Sequence, residues 1–317
     1  MARVLIVLGL FALATVGTTY SAFSGTTTNP SNSFTAKPDW VAPTATAVVA
    51  KSSGYSAGFI KQGGTYYVYA NFTDSGNPAS GFSSATADVH LVTTGQTSVA
   101  FASGSFSAGG TSYSYRTAQL TANAALSAGS YNVTITSTDV AGNSGTQTFS
   151  VTVDNTVPTG SDVQTTNVSG GTNGKAELGD TMTITYSEAI DPASIVSGWS
   201  GSSMNLLVQL TNSGGGDTIT FFSSTSPFPQ IPLGSINLGR TDYTTGNVTF
   251  GLSGTPSTMV LSGSTVTITL GTASAADTTA AATGSMVWTP SATATDLAGN
   301  ACSTTAKTET GAADKDF

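Results

Sequence analysis

The stretch Gly129-Ser-Tyr131-Asn-Val133-Thr-Ile135-Thr-Ser-Thr-Asp139-Val-Ala-Gly142-Asn143-Ser-Gly-Thr-Gln-Thr-Phe149-Ser-Val151-Thr-Val153 decides the fold. Tyr131, Val133 and Ile135 alternate with polar residues, as do Phe149, Val151 and Val153. Side chains along a strand point to opposite faces in turn, so each run has one apolar and one wet face. Between them, Gly142 and Asn143 supply the backbone freedom of a tight turn. The two runs form a β-hairpin that buries one face.

Working outward, the turn phrase Thr138-Asp139-Val-Ala-Gly142-Asn143 returns as Thr295-Asp296-Leu-Ala-Gly299-Asn300. An opening phrase, Asp39-Trp-Val-Ala-Pro43-Thr44, returns as Asp154-Asn-Thr-Val-Pro158-Thr159. A fixed start and a fixed end, used twice in the same order, mark two modules in tandem. The openings lie 115 residues apart and the turns 157, so the second copy carries about 42 additional residues. Pro227, Pro229 and Pro232 place that insertion between Asn212 and Asn247, because proline breaks regular strand pairing.

Composition agrees. The chain has 317 residues, room for about two domains, and only 8% of them are charged. Threonine and valine favour strands, while glycine and serine supply turns, which makes this an all-β chain. Ala-rich residues 121–128 and 273–283 are the expected places for a turn or two of helix. The formal net charge is −8, or −9 without Arg3, and basic residues are few and scattered. No patch can neutralise a run of phosphates, which excludes nucleic acid as an expected partner.

Met1-Ala-Arg3, the apolar run from Val4 to Val16 and the small-residue exit Gly17-Thr-Thr-Tyr20-Ser-Ala22 have the three parts of a secretory signal peptide. The run is shorter than the roughly 20 apolar residues of a spanning helix. The continuation Phe23-Ser, with Asn29-Pro-Ser-Asn32-Ser-Phe34-Thr-Ala36, resembles the export region of TasA/camelysin-type matrix proteins, which SipW-type signal peptidases process. The resemblance implies cleavage between Ala22 and Phe23. It ends after Ala36, so it covers the export signal and the arm alone. In such fibres the arm completes a neighbouring subunit's sheet; Phe23 and Phe34 would be its anchors here, with Pro30 interrupting the ladder between them. Composition also fits a flexible Ser/Thr/Asn tether.

Further strand patterns occupy residues 65–72, 87–92, 96–101 and 112–118 of the first module. About seven short strands in roughly 110 residues is the arithmetic of an immunoglobulin-like sandwich. Gly129–Asn143 resembles the closing hairpin of bacterial Ig-like surface domains, and Asp74-Ser-Gly76 with Ser80-Gly81-Phe82 resembles a Gly-rich loop of the same domains. Gly179-Asp180-Thr-Met-Thr-Ile184-Thr-Tyr186-Ser-Glu188-Ala-Ile190-Asp191-Pro192 resembles a sister class from surface-layer and cell-wall proteins. It is followed by strand pairs at 205–210 with 218–222 and at 258–261 with 265–270. The expected organisation is a signal peptide at 1–22 and an arm at 23–38. Ig-like domains follow at 39–155 and, with the insertion, at 156–310, and then a tail at 311–317.

Catalysis requires convergent groups, and few are present. One histidine, His90, and one cysteine, Cys302, exclude histidine- and thiolate-rich metal centres and any internal disulfide. His90 reads as the polar phase of a strand, and Cys302 as a small apolar core residue. Glu188 and Asp191 could suggest acid–base work, but their Ig-like context favours a structural turn. The expectation is no enzyme. Asp139 and Asp296 precede tight turns, where a carboxylate accepts backbone N–H bonds. The alternative is Ca²⁺, which takes six to eight oxygen ligands. Asp154 and Asn155, grouped with Asp74 or Asp139, are the expected ligands at the junction; no other cofactor is implied. Asn71, Asn132, Asn167 and Asn247 each open an Asn-x-Ser/Thr triplet.

Taken together, the residues and the resemblances imply an exported, non-enzymatic cell-surface or matrix protein with a structural or adhesive role. Its partners would be surface or matrix components, or copies of itself. Two alternatives stand beside this reading: a self-assembling fibre subunit that uses the arm, and a carbohydrate-binding module. The second would use an exposed aromatic platform, for which Tyr66, Tyr67, Tyr69, Trp199 and Trp288 are the residues to test, though most of them read as core.

Overall fold

The computed structural model of the protein describes residues 39–317. The leader, the cleavage point at Ala22 and Phe23, and the arm with Phe34 lie outside the described residues. The described chain is β throughout, with a single helix of four residues, Pro192–Ile195.

Nine strands come from the first part of the chain: β1 (Thr44–Lys51), β2 (Phe59–Ile60), β3 (Thr65–Thr73), β4 (Phe82–Asp88), β5 (Val99–Ala108), β6 (Thr111–Thr117), β7 (Leu120–Thr121), β8 (Gly129–Asp139) and β9 (Ser144–Val153). They follow the order β1-β3-β6-β5-β4-β8-β9-β2, with β7 beside β3. β5 pairs with β4 through Val99 and Ala100 and with β6 from Phe101 onward, so it passes from one layer to the other. Val49, Tyr66 and Val68 of one layer meet Val133, Ile135 and Val151 of the other in the core between them. Hairpin β8–β9 runs in unbroken register from Gly129↔Val153 to Thr138↔Ser144. Its apolar phase faces this core: Val133, Ile135, Val151 and Val153 are buried, with Tyr131 and Phe149 packed against them.

Ten strands form a second sheet: β10 (Gly160–Thr166), β11 (Thr181–Tyr186), β12 (Met204–Thr211), β13 (Thr218–Ser223), β14 (Ser235–Asn237), β15 (Val248–Phe250), β16 (Ser257–Ser262), β17 (Thr265–Thr269), β18 (Val287–Thr289) and β19 (Lys307–Thr308). The order is β10-β11-β17-β16-β12-β13-β14-β18-β19, with β15 beside β12. Its core gathers Trp288, Tyr186, Phe221, Phe250, Ile184 and Leu206, each essentially inaccessible. Each such side chain contributes about 1.5–3 kcal/mol through burial. Trp288 meets Tyr186 edge-on at 4.9 Å, and its indole N–H donates to the Leu233 carbonyl at 2.8 Å, so the ring is buried without a lost hydrogen bond.

Several sequence expectations need correction. The strand expected at 87–92 ends at Asp88, and His90 lies in the turn beyond it. There the backbone N–H and Nδ1 of His90 both lie within hydrogen-bonding distance of Asp88 Oδ1, which replaces strand pairing with a local turn. Val89 is buried and Leu91 exposed, so they do not share an apolar phase. The Ala-rich segments 121–128 and 273–283 hold no helix. Their backbone groups bond across the fold instead, as Ala122 N–H does to Gly64 O and Ala280 N–H to Gly174 O. Residues 311–317, read as a tail, pack back on the second sheet: Phe317 is buried and lies edge-on to Tyr243 at 6.4 Å.

Polar bonds join the two sheets. Lys51, at the end of β1, reaches Asp191 Oδ2 at 2.5 Å and donates to the carbonyls of Asp296 and Leu297 at 3.2 and 3.0 Å. Lys61 donates to the Gly299 carbonyl at 2.5 Å. The Tyr55 N–H lies 3.1 and 3.2 Å from the two Asp191 oxygens. Asp191 also accepts from Ala193 N–H at the start of the helix, so this single carboxylate caps the helix and anchors the joint.

Candidate functional site

The repeated phrases meet in space, and each meeting point gathers three carboxylates. At the first, one carboxylate oxygen from each of Asp39, Asp74 and Asp139 lies within 4.8 Å of the others. Strand pairing brings them together. Thr44↔Thr73 places the chain entrance beside the residue that follows β3, and Phe82↔Asp139 brings the end of β8 to the same edge.

Backbone amides fill part of this cluster. Asp39 accepts from Val41 N–H at 3.0 Å and Ser80 N–H at 2.7 Å, bonds that hold its carboxyl below the usual range. Asp74 Oδ2 accepts from Gly81 N–H at 2.6 Å, whereas Asp74 Oδ1 is buried with no hydrogen-bond partner. Asp139 accepts from the backbone and side-chain N–H groups of Asn143 at 2.7 and 2.6 Å, and Asn143 also donates to Asp39 O at 3.0 Å. Gly76 has to be glycine here, since a Cβ would collide with the Asp39 carboxylate.

The second meeting point repeats this pattern with Asp154, Glu188 and Asp296, again within 4.8 Å. Asp296 accepts from the backbone and side-chain N–H groups of Asn300, both at 2.7 Å, and Asn300 donates to Asp154 O at 2.9 Å. Glu188 Oε1 is buried without a partner, the counterpart of Asp74 Oδ1. Burial first, then the charges of Asp154 and Asp296, pushes the Glu188 carboxyl up to about 7. Gly142 (φ 83°) and Gly299 (φ 95°) take the left-handed backbone that both turns need.

The predicted ligand set divides between the two clusters. Asp74 and Asp139 sit in the first with Asp39; Asp154 sits in the second with Glu188 and Asp296. Asn155 belongs to neither: its side chain accepts from Gln62 N–H at 2.9 Å and donates to the Leu126 carbonyl at 2.8 Å. Glu188, read as a turn residue, is the ligand candidate that sequence reasoning passed over. A signal for it existed: Asp74 stands 35 residues beyond Asp39, and Glu188 stands 34 beyond Asp154.

All six carboxylates are hard oxygen donors, the chemistry of a Ca²⁺-class cation rather than a soft one. Cys302 is buried, and burial followed by the Glu188 charge pushes its thiol up to about 11, which leaves it an inert core residue. Of the aromatics named for a platform, Tyr66, Tyr69, Trp199 and Trp288 are buried, in line with their reading as core, and the Arg116 guanidinium covers the ring of Tyr67 at 4.0 Å. Asn71 spends its amide in pairing β3 with β6, donating to Ser112 O and accepting from Ser114 N–H.

A family model described as a bacterial Ig-like domain matches residues 64–155, which spans β3 to β9 and ends beside Asp154. Curated proteins and solved structures give no match to the chain. Among the described residues, no helix is long and apolar enough to cross a membrane.

Proposed function

We propose that this protein is an exported, non-enzymatic structural or adhesive component of a bacterial cell surface or extracellular matrix. Two Ig-like modules, divided at residues 155 and 156, make up its body, and Ca²⁺ stiffens both module entrances. The observation that carries this reading is the double construction of one cluster. Asp39, Asp74 and Asp139 reappear as Asp154, Glu188 and Asp296, with the same asparagine bonds and one unpartnered buried oxygen each. A carboxylate oxygen buried without a partner is costly, and a cation offsets that cost at both entrances. The family match supports the surface role of the first module. The Lys51 and Lys61 bonds support a body that works as one stiff unit.

Thermal melts of the full chain in Ca²⁺ and in chelator, beside Asp139→Asn and Asp296→Asn, test the cation. Ca²⁺ should raise the melting temperature, and each variant should lose part of the gain. A melting temperature indifferent to Ca²⁺ removes it from the reading. Fractionation of the producing cells tests the location, and recovery in the cytoplasm alone would sink the surface role.

A further inference from the structure

A third carboxylate cluster lies in the second sheet, away from the repeated phrases. Glu309 directly follows β19, Asp314 bridges Gly284, and Asp316 sits against β10. One oxygen of each lies within 4.8 Å of the others. β10 and β19 are the two ends of the sheet order, so the cluster spans its two edge strands.

The bonding of this cluster is incomplete. Asp316, 1% exposed, accepts from the Tyr243 hydroxyl at 3.1 Å and from the Thr165 hydroxyl at 3.4 Å. Glu309 is 9% exposed, and its Oε1 is buried with no hydrogen-bond partner. Among the described residues no lysine, arginine or histidine pairs with any of the three carboxylates. Neutral donors serve Asp316, and Met286 N–H and the Ser285 hydroxyl bear on Glu309, but Glu309 Oε1 stays unpartnered and the cluster's negative charge is gathered without a counter-charge. Burial, then the Glu309 charge, pushes the Asp316 carboxyl up to about 7.

We infer that Glu309, Asp314 and Asp316 form a binding site for a hard divalent cation of the Ca²⁺ class, which clasps the two edge strands of the second sheet together. Three carboxylates supply at least three of the six to eight oxygens such an ion takes, and water or carbonyl oxygens complete the set. The donor set is all oxygen, which selects against zinc and copper. An edge strand left open is a template for unwanted pairing, and a cation bridging both edges keeps the sheet closed. This site does not depend on the entrance clusters.

Calorimetric titration of the full chain with Ca²⁺, beside Asp314→Asn and Glu309→Gln, tests the site. Asp314 is exposed, so its replacement leaves the core intact even where Glu309→Gln fails to fold. We expect Asp314→Asn to lose one Ca²⁺ equivalent, or to bind it on the order of tenfold more weakly. Asp139→Asn and Asp296→Asn should leave that equivalent in place, which separates this site from the two entrances. Unchanged stoichiometry and affinity in Asp314→Asn, or no Ca²⁺ binding by the wild-type chain, would overturn the inference.

Discussion

Lys51 Nζ lies 2.5 Å from Asp191 Oδ2, with 9% and 1% of the two side chains exposed. The lysine leaves the first sheet and the aspartate opens the helix of the second, so a buried ion pair forms the joint between them. Removing one member of such a pair strands the other in a dry site. Asp191 keeps bonds from Tyr55 and Ala193, which moderates the loss. Lys51→Met should therefore cost about 2–3 kcal/mol. It should also split one melting transition into two, as the sheets come to unfold separately. Calorimetric melts of the variant check both, and a single unshifted transition would contradict the account.

The raised carboxyls make stability depend on pH. Glu188 and Asp316 are each pushed up to about 7 and Asp277 to about 6, in every case by burial first. A folded-state value above the unfolded one means that the folded chain holds more protons. That stability is fully present below about pH 4 and drains away as pH rises through 6 to 7. In chelator, the protein should melt at a higher temperature at pH 5 than at pH 8, and Ca²⁺ should recover the difference at pH 8. Asp242, held down to about 2 chiefly by Arg240, acts in the opposite sense but only well below this window. A flat profile between pH 5 and 8 in chelator would refute the prediction.

The two turn glycines should respond alike. Gly142→Ala and Gly299→Ala each force a Cβ into left-handed backbone, at about 1–2 kcal/mol. Asparagine tolerates that conformation, so Gly→Asn at either site should cost less. Urea denaturation of the four variants gives the comparison. Equal losses for alanine and asparagine would point to packing rather than backbone as the cause.

The arm is testable by electron microscopy of the chain from Phe23 beside a chain from Lys37. Filaments from the longer chain alone would assign assembly to Phe23–Ala36. Discrete particles from both would leave a spacer or an adhesin.

Much of the fold was legible because period-two alternation and a repeated phrase are local signals. Hairpin β8–β9 and the pairs β12–β13 and β16–β17 could be read from their own residues. Asp139 and Asp154 were legible as candidates because they belong to repeated phrases. Their true partners were not, since strand pairing across 65 residues brings Asp74 to Asp139, and no local pattern records it. Lys51 and Lys61 belong to no motif in the sequence; their role exists only where two sheets meet. The closing segment misled for a different reason. Its polar residues suggest a solvated tail, yet Asp316 and Phe317 are buried, and their backbone N–H groups donate to the Tyr243 and Thr165 hydroxyls, partners that composition does not reveal.

Beside the Lys51–Asp191 ion pair, the joint also reads main chain: Lys51 and Lys61 bond the carbonyl oxygens of Asp296, Leu297 and Gly299. These bonds depend on where the turn holds its carbonyls, so Asp296, Gly299 and Asn300, which shape the turn, govern the docking as well. A substitution that spoils the turn's shape therefore acts on the coupling between the sheets and not on the turn alone. What a lineage has to inherit for stiff coupling is thus a backbone path as well as a salt bridge.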